Sequence, residues 1–434
     1  MKLSVSQLLV FFFIAAIVTG TVLLSLPVAS QNGQSIGFVN ALFTATSGVC
    51  VTGLIVVQPG LNLSVFGQIV LLVLIQLGGL GYMTLASSLV VLGAGRLSFR
   101  NRMAVQEVAK VSTPADLRRF SLNVIRITVI AEFIGAVLLA RFWWPQYGIK
   151  SIYYGVFHSI SAFCNAGFSL FPESLIPWCG NWYLVLVMGM LIIMGGLGYV
   201  VVAELSHRKS GTLSAHSKAV LSMSGILLVV GFLLFFLVET KNGGVLSGLS
   251  PGGRVWASIF QSLTPRTAGF TMVQMSSVST ATFLVIIIFM FIGASPGGTG
   301  GGIKTTTFLA VLATVTSTLR GRKEVVLFNR RLPEEVVRKA LSIGALVLAV
   351  AGMAVLLLQV TESASLRAVI FEVFSALGTV GLSCGITQGL STFGKIVLIV
   401  VMFVGRVGPV TLGAAMLKQV EEHFHWPEEP VMVG

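Results

Sequence analysis

Apolar runs long enough to cross a bilayer recur from one end of the chain to the other, separated by short polar connectors. A spanning helix needs about 20 mainly apolar residues, because each residue advances the axis by only about 1.5 Å. Runs of this kind cover residues 8–26, 65–92, 124–139, 183–202, 219–237, 282–292, 340–358 and 395–404. Some are short or broken by glycine, and no polar stretch between them leaves room for a soluble domain. The first run follows Lys2, as in a secretory leader, but it is nearly a full span long and no small-x-small cleavage site follows it. It therefore reads as a spanning helix.

Between the runs a shorter pattern repeats four times: Thr46-Ser47-Gly48-Val49-Cys50, Asn165-Ala166-Gly167-Phe168-Ser169, Thr267-Ala268-Gly269-Phe270-Thr271 and Thr379-Val380-Gly381-Leu382-Ser383. Each has Thr or Asn, a small or β-branched residue, Gly, an apolar residue and then Ser, Thr or Cys. The glycines fall roughly a quarter of the chain apart, the mark of an internal repeat. A Phe precedes each Gly by nine or ten residues: Phe38, Phe157, Phe260 and Phe371. Downstream, Gly78-Gly79-Leu80-Gly81-Tyr82 is echoed by Gly195-Gly196-Leu197-Gly198-Tyr199, and Phe291-Ile292-Gly293 by Phe403-Val404-Gly405. Each unit thus reads as long helix, short helix, irregular loop, long helix. The units divide the chain into residues 1–95, 96–213, 214–325 and 326–420, with a tail at 421–434. The predicted fold class is an all-α integral membrane protein. Four tandem units surround a central pseudo-fourfold pore, giving eight spanning helices and four short re-entrant ones.

Composition agrees with this class: 55% of residues are hydrophobic and 10% charged, against roughly 25% charged in soluble domains. The net charge of +13 would suit nucleic acid, but its placement argues otherwise. Arg96, Arg100, Arg102, Lys110, Arg118 and Arg119 share one connector. Arg208, Lys209 and Lys218 share a second, and Arg320, Arg322, Lys323, Arg330, Arg331, Arg338 and Lys339 a third. Connectors nearly free of Lys and Arg, such as 27–40, alternate with them. That is the positive-inside pattern, with basic connectors and both termini cytoplasmic; the same charge attracts anionic lipid or an acidic cytosolic partner. The four cysteines (Cys50, Cys164, Cys179, Cys384) have no metal-site spacing and read as small residues packed behind the loops; nothing supports a Cys164–Cys179 bridge. A membrane enzyme would need a His/Asp/Ser or metal cluster, and none is legible.

Non-helical backbone at membrane depth survives only where it faces water or is buried in protein. Four such loops around one axis would line a shared path, where inward carbonyls replace the hydration shell of a cation. Glycine reaches φ > 0 without steric cost and lets adjacent carbonyls point the same way. Each short helix ends at its loop and brings about half a negative charge to the ion. None of the four pentamers contains an acid, which favours a monovalent cation over calcium. Close helix packing, the other common use of membrane glycines, suits Gly78, Gly79, Gly195 and Gly196 better than the loop glycines.

The segment Gly293-Ala294-Ser295-Pro296-Gly297-Gly298-Thr299-Gly300-Gly301-Gly302-Ile303-Lys304 breaks the outgoing helix of the third unit. A phosphate-binding loop is excluded because Ile303 separates Gly302 from Lys304 and the flanks are membrane helices. Arg406, between Gly405 and Gly408, costs about 2.5–3.5 kcal/mol in an apolar helix unless it meets water or a partner. It reads as a charge near the axis, or else as a side chain reaching the membrane surface. Glu204 reads as interfacial, Glu372 as bonded to the loop scaffold, and Glu132 has no assigned role.

At these residues the chain resembles the Trk/Ktr/HKT superfamily of potassium transporters, and within it the KtrB-type membrane subunits. The resemblance covers essentially the whole chain, including the ending His425-Trp426-Pro427 and a first span that starts near residue 1, where TrkH-type subunits carry extra helices. It implies that Gly48, Gly167, Gly269 and Gly381 form a selectivity filter. Ser at the first position goes with sodium preference in plant relatives, so Gly48 implies potassium. One Gly per unit, against a full TVGYG, implies some sodium passage. It further implies an intramembrane gate loop contacted by Arg406, a homodimer, and a cytosolic nucleotide-binding regulatory ring of the KtrA type. It implies no cofactor in this chain beyond the transported K⁺. A secondary symporter with broken helices is the alternative reading.

Overall fold

The computed structural model describes residues 4–92, 114–206, 213–241 and 243–416. Arg96, Arg100, Arg102, Lys110, Arg208, Lys209 and the tail at 421–434 lie outside them. Sixteen helices are present among the described residues: α1 (Val5–Ser25), α2 (Phe38–Val49), α3 (Pro59–Asn62), α4 (Val65–Leu92), α5 (Pro114–Tyr147), α6 (Lys150–Phe163), α7 (Trp182–Gly196), α8 (Tyr199–Ser206), α9 (Ala215–Glu239), α10 (Pro251–Leu263), α11 (Thr280–Phe291), α12 (Thr305–Leu319), α13 (Glu334–Thr361), α14 (Leu366–Gly378), α15 (Thr392–Val407) and α16 (Pro409–Met416).

The helices fall into four repeats of one pattern. A long apolar helix (α1, α5, α9 or α13) is followed by a short re-entrant one (α2, α6, α10 or α14), a loop, and an outgoing helix. Local chemistry sets the starts. Ser4, Asn181, Ser214, Ser250, Ser279, Ser365 and Ser391 each accept a first-turn backbone N–H as N-cap. In the third and fourth units an acid at the end of the incoming helix seats the outgoing one. Glu239 accepts from Ser279 N at 2.9 Å, and Glu362 from Ser391 N at 3.1 Å. Glu204, expected at an interface, accepts from the Ser214 backbone at 2.6 Å and from the Ser214 and Ser217 hydroxyls at the start of α9.

Among the described residues, four helices are long and apolar enough to span, or up to six if each bent pair counts as one span. The outgoing runs depart from the straight spans expected. Residues 183–202 bend by 105° between α7 and α8, at Gly198 with φ +89°. α15 and α16 meet at 90°, at Gly408 (φ +87°) and the following Pro409. In the third unit the glycine-rich segment separates α11 from α12, and a single parallel bridge between Ile292 and Ile303 closes it. α5 extends well beyond the expected 124–139. Its arginines depress the hydropathy without breaking the helix, and Pro145 sits in its last turn. Leu, Val, Ile and Phe side chains on α1, α5, α9 and α13 stand exposed, the surface a bilayer would cover. The buried core lies inward, around the re-entrant helices.

A small hairpin, β1 (Val326–Leu327) paired with β2 (Arg330–Arg331), joins α12 to α13. Phe328 and Asn329 both have positive φ, at 50° and 58°, as a two-residue hairpin turn requires.

Candidate functional site

Three of the four predicted glycines, Gly167, Gly269 and Gly381, lie together. The fourth partner is Gly53, five residues after the predicted Gly48. Gly48 lies inside α2, and a β-carbon there would sit 2.9 Å from Leu71 Cδ1 on α4. Thr46, Ser47 and Val49 are likewise helical, within the last turn of α2. The loop that matches the others is Val51-Thr52-Gly53-Leu54. It opens on a left-handed residue and places a left-handed glycine two positions on. The pairs are Val51 and Gly53 (56° and 88°), Asn165 and Gly167 (57° and 69°), Thr267 and Gly269 (66° and 74°), and Thr379 and Gly381 (49° and 94°). Non-glycine residues held there cost about 1–3 kcal/mol each, so the surroundings enforce the shape.

The four glycines close a ring. A β-carbon on Gly53 would lie 2.4 Å from the Ala166 carbonyl oxygen, on Gly167 3.1 Å from that of Ala268, on Gly269 2.6 Å from that of Val380, and on Gly381 2.3 Å from that of Thr52. In each case the intruding oxygen belongs to the residue before the next unit's glycine. The units therefore follow one another round the axis in chain order. Ala166, Phe168, Ala268, Phe270, Val380 and Leu382 are buried around this ring.

The phenylalanine register confirms the correction. Phe43, Phe157, Phe260 and Phe371 are each 0% exposed, whereas Phe38 is 67% exposed at the start of α2. Phe43 precedes Gly53 by the interval that Phe157 keeps from Gly167. A hydroxyl near the end of each short helix ties the loop back. Ser47 donates to the Leu54 carbonyl (2.8 Å) and accepts from Gly53 N (3.1 Å), Ser161 donates to Phe168 O (2.8 Å), Thr264 donates to Phe270 O, and Ser375 accepts from Gly381 N (3.1 Å). The Phe and Ser spacings, taken together, were the sequence signal that selects Gly53.

The third unit's break packs directly against this ring. Gly301 N donates to Thr379 Oγ1 at 2.9 Å, and a β-carbon on Gly300 would stand 2.0 Å from Thr267 Oγ1. Thr299 N reaches Gly195 O at 3.1 Å and Ser295 N reaches Gly196 O at 3.2 Å. Ser295 also accepts from the Thr305 hydroxyl at 3.1 Å. Gly293 N donates to Ile303 O at 2.9 Å, and Gly297 and Gly302 have φ of +75° and +70°. Gly298 lies against the Gly195 and Gly196 carbonyls. Lys304 Nζ donates to Gly300 O at 2.6 Å. Arg406 donates to Thr299 O and to Gly78 O in the first unit. It therefore reaches the break rather than the membrane surface, and each bond from a charged donor contributes about 1.5–3 kcal/mol.

Gly78 and Gly195 serve close packing, as expected, and Gly405 does the same. Their β-carbon positions lie 2.1, 1.8 and 2.1 Å from the carbonyl oxygens of Val49, Phe163 and Leu377, in the last turn of each short helix. Glu132 is bound by Gln76 Nε2 at 3.0 and 3.2 Å, joining α4 to α5. All four cysteines are free thiols. Cys164 caps α6 beside Gln76 at 3.4 Å, while Cys179 follows the one-turn helix Ile176–Trp178.

A profile of the family described as "Cation transport protein", TrkH, matches residues 4–426. The chain belongs to this family. It is 38% identical over 430 residues to the Ktr system potassium uptake protein B of Bacillus subtilis, covering 99% of this chain and 96% of the relative. It is 39% identical to the protein of that name from Vibrio alginolyticus, covering 99% and 94%. The potassium/sodium uptake protein NtpJ of Enterococcus hirae is 36% identical, covering 100% and 98%. Among solved structures, the potassium transporter TrkH from Vibrio parahaemolyticus superimposes with a TM-score of 0.72 at 20% identity, covering 94% of this chain and 83% of that one. That likeness is one of fold. The chain is a membrane transporter, not an enzyme.

Proposed function

We propose that this chain conducts potassium inward across the bacterial plasma membrane, with Gly53, Gly167, Gly269 and Gly381 as its selectivity filter. The observation that carries the reading is the ring of glycines in which each lies against a carbonyl of the next unit. Main-chain oxygens gathered around one axis supply the ligand set of a partly dehydrated monovalent cation, and the ends of α2, α6, α10 and α14 add partial negative charge. Gly53 inherits the potassium preference that the family resemblance attaches to the first position. Relatives named for potassium uptake, and one named for potassium and sodium, support the ion class.

The segment 293–304 is the gate, held shut by Lys304, Arg406 and Thr379. The basic connectors and both termini are cytoplasmic. The β1–β2 hairpin, with exposed Phe328, Arg322, Arg330 and Arg331, suits docking of a nucleotide-binding regulatory ring, and a second copy of the chain completes a dimer. A coupled symporter is less well supported, because the buried Glu132 is engaged by Gln76 between α4 and α5 rather than in the ring.

Purified protein in liposomes should pass K⁺ down its gradient without a second solute or a pH gradient. Deletion of 297–302 should raise that flux at least tenfold. A strict requirement for a co-substrate would overturn the pore; an unchanged flux in the deletion would overturn the gate.

A further inference from the structure

The residue after each buried phenylalanine has a shared task in three of the four units. His158 follows Phe157, Gln261 follows Phe260 and Glu372 follows Phe371, and these side chains are 0%, 2% and 0% exposed. Each reaches the hydroxyl two positions past its ring glycine. His158 Nε2 lies 3.0 Å from Ser169 Oγ, Gln261 Nε2 3.5 Å from Thr271 Oγ1, and Ser383 Oγ donates to Glu372 Oε1 at 2.6 Å. Each hydroxyl also accepts the backbone N–H two residues further on, from Phe171 at 3.0 Å, Val273 at 3.2 Å and Gly385 at 2.8 Å. A short helix, a hydroxyl and a tight turn are thereby knotted behind the strand. The Tyr154 carbonyl, 2.8 Å from His158 Nδ1, can only accept. The hydrogen therefore sits on Nδ1, and Nε2 of the neutral ring receives the Ser169 hydroxyl. Thr387 donates a second hydroxyl to Glu372 Oε1.

The first unit lacks this knot. Thr44 follows Phe43 but donates to its own helix, at Asn40 O (2.8 Å). Two positions past Gly53 stands Ile55, which has no polar group to offer.

We propose that His158, Gln261 and Glu372 are positioning residues for the ion path, each fixing its filter strand through one hydroxyl, a brace that the strand at Gly53 lacks, since only Ser47 ties that strand back. This rests on the filter reading above. The carbonyl preceding each glycine abuts the neighbouring unit, so a strand released on its outer side shifts the ligand set for the whole ring.

The test measures the K⁺/Na⁺ permeability ratio of purified protein in liposomes, with gel filtration and thermal unfolding to establish folding. Ser383→Ala and Ser169→Ala should each lower the ratio by about three- to tenfold, the scale of one hydrogen bond. Glu372→Gln, whose amide oxygen still accepts from Ser383, should stay near wild type, and Glu372→Ala should fall with Ser383→Ala. If Glu372→Ala does not fold, the two serine variants carry the test. Gly381→Ser separates the two levels of the argument. If it lowers the ratio while either serine variant remains at the wild-type value, the struts are overturned. So are they if Glu372→Gln falls as far as Glu372→Ala. A wild-type ratio in Gly381→Ser overturns the filter reading itself.

Discussion

At the scale of single residues, Gly48 and Gly53 offer the sharpest contrast. A side chain at Gly53 meets the backbone oxygen of Ala166 and a φ of +88°, neither of which can yield without moving the ring. A side chain at Gly48 has as its one tight contact the flexible end of Leu71, with Leu74 Cβ and the Leu71 carbonyl at ordinary distances of 3.5 and 4.0 Å. Gly53→Ser should therefore lower the K⁺/Na⁺ permeability ratio about tenfold or more. Gly48→Ser should leave it within about twofold and cost about 1–3 kcal/mol of stability, read as a lower thermal midpoint. Equal effects on selectivity would undo the assignment. The ambiguity was built into the sequence: Phe38 precedes Gly48 by the same interval that Phe43 keeps from Gly53, while Thr46-Ser47-Gly48-Val49-Cys50 meets the repeat pattern in full and Val51-Thr52-Gly53-Leu54-Ile55 misses it at its first and last positions. In sequence only the hydroxyl spacing separates them, Ser47 standing before Gly53 as Ser161 and Ser375 stand before Gly167 and Gly381, and the task of that hydroxyl is tertiary. Phe43 is buried against the ring core while Phe38 faces outward, and a single chain read linearly gives both the same apolar letter. Gly167, Gly269 and Gly381 had no rival of this kind within reach of a phenylalanine, so they were legible.

At the scale of elements, the break between α11 and α12 was plain from its glycines and proline. The bends at Gly198 and Gly408 were not, because neighbouring glycines such as Gly195 and Gly405 serve close helix packing, and packing and bending glycines look alike in sequence. Arg406 holds the break through two carbonyls on different units. Arg406→Lys should fail to restore the closed state of the wild type, since one ammonium cannot reproduce a planar fork reaching both oxygens. Basal K⁺ leak in liposomes should rise for Lys and Ala alike, and a lysine variant as tight as wild type would disprove the two-carbonyl role. Gly300→Ala should raise leak as well, its methyl meeting Thr267 Oγ1 at 2.0 Å, whereas Gly248→Ala, with nothing within 4 Å, should not.

For the whole molecule, charge placement predicts an orientation with the basic connectors inside. Ser35→Cys, beside the loops, and Arg322→Cys, on the basic connector, are both at exposed positions. In a background lacking the native cysteines, an impermeant maleimide should label the first from outside intact cells and the second only after permeabilisation; the reverse would invert the topology. Fourfold organisation was readable as repetition. The inter-unit contacts were not, since they depend on backbone atoms that carry no sequence signature. Those contacts have a kinetic consequence. The segment at 293–304 belongs to one unit, yet it is pinned by Gly195 and Gly196 of the second, Thr379 of the fourth, and Arg406 braced on the first. Packed interfaces of this kind switch between discrete arrangements rather than yielding by degrees. Recordings from single molecules should step between two current levels, without the partial levels that four independently moving quarters would produce.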